Sequence, residues 1–407
     1  MRVSTNQTQT TAVNAMLEQQ AKLSKVQEQV ATGKRITKPS DDPVAAAKVV
    51  NLNDILKTTD TYKANIAIAR ARLNLEEGAL SHSVDIYHRI RELALQANNA
   101  TQTNETRSYM AEEISQLTDE LLSLANSTDS TGEFLFSGNK GQFKPFAKND
   151  SGGYDYYGDD GQRQVQIGPK RQIAINDSGN KIFREIRDGN GHFTALESPG
   201  NQGSGVIDPG AVTGHYDLGT YAIIFDRKPA STSPNEPLTY HVIDAKGNTV
   251  VPPGQAFEEG NAIEFRGVHT SISGEPAPGD YFVIRPSFNQ DIFTTLQNFV
   301  AALRVGRGSD SDHAQLNNEI NRVLSAMDVT LGRTLEVRAN IGARLNALDS
   351  QENINDSLKI QIQEILSGVQ DLDYSKAVSD LNLRLTGLQA SQKAFTRVQD
   401  ISLFNYL

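Results

Sequence analysis

The chain has 407 residues, 39 Lys and Arg against 49 Asp and Glu, and a formal net charge of −10. Acidic and basic residues are well mixed, so there is no electrostatic footprint for nucleic acid. Cysteine is absent, which excludes disulfides, thiolate zinc sites and thiol nucleophiles together.

The opening "MRVSTNQTQTTAVNAM" lacks the apolar core of a secretory signal, and no apolar run approaches the ~18 residues of a membrane span. A soluble chain without membrane insertion is expected, one that leaves the cell, if at all, by a route other than general secretion. The next part of the N-terminal segment repeats every seven residues, with Met16, Leu23 and Val30 in one column and Ala12, Gln19 and Val26 in the adjacent one. Glu18 and Lys22 form an i,i+4 pair outside that stripe.

"GKRITKPSDDPVAAAK" follows at 33–48. Asp41 and Asp42 are adjacent and diverge by about 100° on a helix, so they are badly placed to share a proton. They read better as a helix-cap joint, with Asp42 at the N-cap, Pro43 at the first helical position and both carboxylates facing the positive end of the helix dipole. The helix they introduce covers roughly 43–98, about 80 Å at 1.5 Å per residue. Its column Leu52, Thr59, Ile66, Leu73, Leu80, Tyr87, Ala94 is apolar at every place but Thr59. A second helix carries Met110, Ile114, Leu117, Leu121 and Leu124 at 4,3,4,3 spacing.

The middle differs in kind. Residues 44–144 and 287–407 contain no proline, whereas most of the 31 glycines and 14 prolines fall between. Proline costs about 3 kcal/mol in a helix interior, so the distribution predicts helix, then a β-rich insert, then helix. "YHVIDAKGNTVV" is a hairpin candidate turning at Gly247-Asn248, while "TYAIIFDRKP", "NAIEFRGVHTSI" and "GDYFVIRPS" read as strand-forming. Beyond them, "NQDIFTTLQNFVAALR" predicts a short helix burying Ile292, Phe293, Leu296, Phe299, Val300 and Leu303. A long helix from about Asp312 has the stripe Ile320, Leu324, Met327, Leu331, Ile341, Leu345, Leu348, Leu358, Ile362, Ile365, Val369, Leu372. The chain closes on an amphipathic segment with Val378, Leu381, Leu385, Leu388, Phe395, Val398 and Ile401. The expected class is α+β and multidomain: a long antiparallel helical bundle or coiled coil formed by the two terminal regions, with an inserted β-rich domain.

No catalytic, cofactor-binding or metal site is expected. The seven histidines are scattered without H-E-x-x-H, and "DGNGHFTALE" puts His192 and Phe193 where a calcium loop needs a ligand and a glycine. Walker, G-x-G-x-x-G and G-x-S-x-G motifs are missing, so an enzyme has no residue to stand on.

Several stretches together resemble one family. "MRVST", then "QVATGKRITKPSDDPVAAA", is similar to the flagellar hook-associated protein 3 family, the hook–filament junction proteins related to flagellin. "LANSTDSTGEFLFSGNKGQFKPF" resembles its passage from bundle to insert, and "ISGEPAPGDYFVIRPSFNQDIFTTLQNFVAAL" its return. "IGARLNALDSQ" and "LQASQKAFTRVQDISLFNYL" complete the set. The resemblance implies a structural, non-enzymatic flagellar protein acting in motility, exported by the flagellar type III apparatus with an export chaperone. It would self-associate in a junction layer, between the first hook-associated protein and flagellin, outside the cell. Flagellins share the motif but typically lack the second proline, so Pro39 and Pro43 favour the junction family; a flagellin-type filament subunit is the alternative. The expected division is a terminal coiled-coil assembly domain (1–42 and 373–407), a helical rod (43–146 and 287–372) and the β-rich insert (147–286).

The terminal stripes are short and partly polar, and helices of that length are marginal alone. The chain ends are therefore expected to be largely disordered in the monomer and to fold on assembly. The interface expected for that step comprises Val13, Met16, Leu23, Val26, Val30, Leu381, Leu385, Leu388, Phe395, Val398 and Ile401.

Overall fold

The computed structural model describes residues 5–150, 152–227, 237–306 and 308–400. They form two compact units. The first holds the described residues up to Ile66, the short stretch Ile167–Pro169 and the chain from Asp349 onward. The second holds Ala67–Gln166 and Lys170–Leu348.

Among the described residues six α-helices occur in chain order: α1 (Thr5–Thr32), α2 (Pro43–Ala97), α3 (Asn104–Ala125), α4 (Ile292–Arg304), α5 (Asp310–Gln370) and α6 (Tyr374–Asp400). All seven members of the α2 column from Leu52 to Ala94 are buried. Thr59 belongs there because its hydroxyl donates to the Ile55 carbonyl one turn back, at 2.8 Å, leaving no unsatisfied group. Within each unit α2 and α5 run antiparallel. In the first, Lys63 pairs with Asp356 at 2.5 Å and Lys359 with Asp60 at 2.6 Å. In the second, Arg338 pairs with Glu77 at 2.6 Å and Arg91 with Asp328 at 2.7 Å. Such partly exposed pairs contribute little stability; they mark the register.

The α3 stripe departs from its 4,3,4,3 expectation. Met110, Ile114 and Leu121 are buried, but so are Ala111, Thr118 and Ala125, while Leu117 and Leu124 are only half-buried. The reason is α4, which packs closely along α3. A column of small residues seven apart lets the helix axes approach, and the bulky leucines are displaced to its flank. The α4 helix starts at Asp291, whose carboxylate accepts the Thr294 amide at 2.7 Å, and it buries all six of its expected residues. On α5, Ile320, Met327, Leu331, Ile341, Leu348 and Ile362 are buried, whereas Ile365 is exposed.

Between α3 and α4 lie fifteen short strands among the described residues. Hairpins β1 (Phe146–Lys148)/β2 (Tyr154–Tyr156) and β3 (Gln164–Gly168)/β4 (Arg171–Ala174) come first. One helical turn, Asn180–Arg184, then leads into β5 (Ile186–Arg187). In the second unit the β1/β2 hairpin and the Asn180–Arg184 turn pack on α4. Phe146 and Phe183 both meet the Phe293 ring, at 5.3 and 5.8 Å, and Gln297 donates to the Tyr154 hydroxyl at 2.8 Å.

The remaining strands are β6 (Phe193–Glu197), β7 (Val206–Ile207), β8 (Ala211–Val212), β9 (Tyr221–Asp226), β10 (Thr239–Asp244), β11 (Thr249–Ala256), β12 (Ala262–Phe265), β13 (Val268–Ser273), β14 (Tyr281–Pro286) and β15 (Asn289–Gln290). One sheet runs β11-β10-β9-β14-β6 and another β12-β13-β7, with β8 also on β13. Their shared core takes every buried apolar side chain from Phe193 to Ile284, with Phe225, Phe282 and Ile223 fully enclosed. The β10–β11 hairpin turns where the sequence predicts, its loop held by the Asp244 carboxylate accepting the Lys246 and Asn248 amides. "NAIEFRGVHTSI" is two strands, because Arg266 and Gly267 both have positive φ (46° and 81°) and make a two-residue hairpin turn. The edge strand β11 exposes Pro252 and Pro253, which lack the N–H that another strand would need.

Entry to and exit from this β core form a neck. β5 pairs antiparallel with β15, Arg187 opposite Asn289. Asp188 clamps the opening: its carboxylate accepts the Phe288 amide at 2.8 Å and Arg285 at 2.7 Å, and its carbonyl accepts the Ser287 hydroxyl at 2.7 Å. Residues 188 and 288 are thus close enough for a short turn to join them. A chain with 189–287 replaced by such a turn should keep the helical circular dichroism and cooperative melting of the rest. Phe183→Ala should instead destabilise the helical part by about 3–5 kcal/mol, although it lies in β-rich sequence. Loss of helical signal in the excised chain would refute this division.

Candidate assembly interface

The expected disorder of the chain ends is corrected by the structure, in which α1 and α6 are helical over the described residues and pack on each other. The physical reason is mutual sealing: Leu23 and Val26 of α1 and Ala377 of α6 are buried, closing the lower turns of the pair. The seal is thin. Met16, Val30, Leu381, Leu385, Leu388 and Phe395 are half-buried and Val13 is exposed. The Val398 side chain and Ile401 lie outside the described residues.

The joint at 33–42 is built from alternating backbone and carboxylate contacts. α1 ends at Thr32, and Gly33 has φ +70°, the left-handed conformation of a helix terminator. A Cβ there would lie 2.9 Å from the Tyr374 hydroxyl, the tip of an exposed side chain that can shift, so it is the positive φ that favours glycine. Asp41 and Asp42 then take separate tasks. Asp42 accepts the Ala45 amide at 3.0 Å, capping α2 where Pro43 begins it. Asp41 turns back: it pairs with Lys25 of α1 at 2.8 Å and accepts the Thr37 and Lys38 amides at 3.2 and 3.0 Å. The Lys25 ammonium and these amides hold the Asp41 carboxyl well below the usual carboxylate range. Its contribution to the joint is complete above the ordinary carboxylate pKa and fades only as the pH falls below it.

A second joint lies beside the first, between α5 and α6, and the sequence reading passed over it. The backbones of Lys34 and Asp371 form an isolated antiparallel β-bridge: the Arg35 amide donates to the Gln370 carbonyl at 2.7 Å, and the Leu372 amide donates to the Gly33 carbonyl at 2.9 Å. Arg35 also donates through its guanidinium to the Val369 carbonyl at 2.8 Å. Asp373 caps α6 by accepting the Lys376 amide at 3.0 Å. The signal was available in "DLDYSK": Asp three residues before Lys376 at the head of an amphipathic run is an N-cap pattern.

Also outside the predicted set are large apolar side chains that the first unit leaves exposed. Leu17 is 59 % exposed, Val44 82 %, Val50 61 %, Ile354 54 %, Ile360 59 % and Leu383 73 %. They sit on α1, α2, α5 and α6, on faces the heptad columns do not use. Among the described residues no group of three or more His, Cys, Asp or Glu is arranged to hold a metal, and no helix is long and apolar enough to cross a membrane.

Residues 3–141 match the family model described as the bacterial flagellin N-terminal helical region. Over 405 residues the chain is 25 % identical to flagellar hook-associated protein 3 of Escherichia coli K12, covering 99 % of each. The crystal structure of flagellar hook-associated protein 3 from Legionella pneumophila is 32 % identical, with a TM-score of 0.75, and covers 79 % of this chain and 98 % of that one. The chain belongs to the flagellar hook-associated protein 3 family. The crystal structure of the flagellar junction protein FlgL from Legionella pneumophila agrees, at 31 % identity and a TM-score of 0.71 over 81 % of this chain and 100 % of that one. The protein is therefore a structural component of the bacterial flagellum, a junction protein associated with hook and filament components, and its relatives are structural proteins.

For this hook-associated protein 3 relative the paired joints set a mutational order. Asp42→Asn should be nearly silent, since Asn caps as well, whereas Asp42→Leu should cost about 0.5–2 kcal/mol. Gly33→Val should cost about 1–2 kcal/mol from backbone strain. Denaturant unfolding followed by circular dichroism orders the three. An Asn variant as unstable as the Leu variant would show that the charge at 42, not the cap, matters.

Proposed function

We propose that this chain forms the layer between the first hook-associated protein and the flagellin filament, and that the exposed faces of its first unit are what bind neighbouring copies. The observation that carries the reading is the apolar exposure just described: Leu17, Val44, Val50, Ile354, Ile360 and Leu383 leave each helix of this unit with an uncovered face. Exposed large apolar side chains mark association surfaces where they lie together on one face. The stripe residues Met16, Leu23, Val26, Val30, Leu381, Leu385, Leu388 and Phe395 serve the pairing of α1 with α6, and their half-buried members tighten when neighbours close over them. Export through the flagellar type III apparatus, with a chaperone shielding these surfaces, suits a chain without cysteine whose ends are sealed by few residues.

Leu17→Asp and Leu383→Asp should leave unfolding of the isolated chain within about ±0.5 kcal/mol, yet prevent incorporation at the junction and abolish motility. Leu23→Asp, at a buried site, should instead lower stability by more than about 2 kcal/mol. Immunogold electron microscopy of hook–filament junctions reads the outcome, and surface variants that incorporate normally would overturn the proposal. Growth of long filaments from the purified chain alone would favour a flagellin-type subunit.

A further inference from the structure

The second unit contains a buried charge cluster that the assembly reading does not use. Arg72 on α2 pairs with Asp129 at 2.5 Å, lies 3.4 Å from Glu133 and donates to the Phe134 carbonyl at 3.0 Å. Arg163 pairs with Glu133 at 2.5 Å. Arg344 on α5 grips both oxygens of Asp177, at 2.7 and 2.9 Å, and Gln162 adds a bond to Asp177 at 2.7 Å. Three guanidinium groups thus meet three carboxylates, and the cluster is neutral.

Glu76 is the fourth carboxyl. It sits one turn from Arg72 and is only 1 % exposed. Its Oε1 accepts the Asp177 backbone amide at 3.1 Å, and its Oε2 is buried with no hydrogen-bond partner. The charged groups around it are Arg72 on its own helix, Asp177 on the segment after β4, and Arg344 on α5. Each of the two arginines already has its carboxylate, although the Arg72 Nε is buried without a partner. An ionised Glu76 would be a buried anion beside another anion, with one oxygen bare, and that costs far more than a neutral hydroxyl lacking an acceptor.

We propose that Glu76 is a proton-binding latch: it takes up a proton as the chain folds, and losing that proton leaves a buried anion facing the Asp177 carboxylate, which destabilises the packing of that segment on α2 and α5. The inference is independent of the junction role. Burial first, and the Asp177 charge second, push the Glu76 carboxyl well above the usual carboxylate range. In the unfolded chain its pKa is about 4.3. The latch's contribution is therefore fully present below that value and is lost as the pH rises through the folded one. Between the two, unfolding releases one proton, so the folding equilibrium constant falls by up to about tenfold per pH unit.

The test is denaturant unfolding of the full-length chain between about pH 5 and about pH 8, comparing the parent with Glu76→Gln. The neutral amide should remove one proton's worth of slope, so the ratio of parent to variant folding constants should fall with rising pH. Parallel profiles would overturn the proposal. If Glu76→Gln does not fold, infrared spectroscopy of the parent labelled with carboxyl-¹³C glutamate decides. A protonated-carboxyl band at neutral pH supports the latch, and its absence refutes it.

Discussion

Because α2 and α5 run antiparallel within the first unit, whatever happens along one helix there must be answered at the same level by the other. Asp60 meets Lys359 and Lys63 meets Asp356, so rising numbers on one side face falling numbers on the other. The break between α1 and α2 at Gly33 therefore lies against the break between α5 and α6 at Asp371, and each joint supplies backbone partners that the other lacks. A buried or half-buried helix end without partners costs about 1–3 kcal/mol per orphan group. Two interruptions placed side by side satisfy one another, whereas one alone would not. The same constraint governs the insert, which must leave and return at one place; the β5–β15 neck and the Asp188 clamp do this with one short ladder.

Strand pieces between α3 and the neck are too short to carry a core of their own. They are held instead by aromatic contacts to Phe293 on α4 and by the arginine–carboxylate cluster, which spans α2, the 127–178 segment and α5. Buried ion pairs contribute little net stability because desolvation consumes most of the Coulomb gain. Their value here is geometric. Bidentate Arg344–Asp177 contacts fix one arrangement of an irregular segment where apolar packing would permit several.

The β core and the helices of the first unit differ in what they leave uncovered. The β core encloses nearly all its apolar side chains and blunts its edge with Pro252 and Pro253, leaving little that invites another chain. The first unit does the reverse. Its helices satisfy their own backbone and their joint, yet expose a large aliphatic residue on each helix.

Local pattern was enough for much of this. Proline placement and the column from Leu52 to Ala94 determined the length of α2 and its buried face, since neither depends on what covers the helix. "DDP" determined where α2 begins, because capping is a short-range matter of one carboxylate and the next amides. The six buried residues of α4 followed from 3.6-residue periodicity. What tertiary structure alone decided was which groups meet across long separations. Thr118 rather than Leu117 is buried because α4 comes close; Gly33 is answered by Leu372; Glu76 is enclosed by Asp177 and Arg344. Periodicity states that a face will be covered. It carries no information about the size, charge or sequence position of what covers it, and those properties determined the joint, the neck and the buried carboxyl.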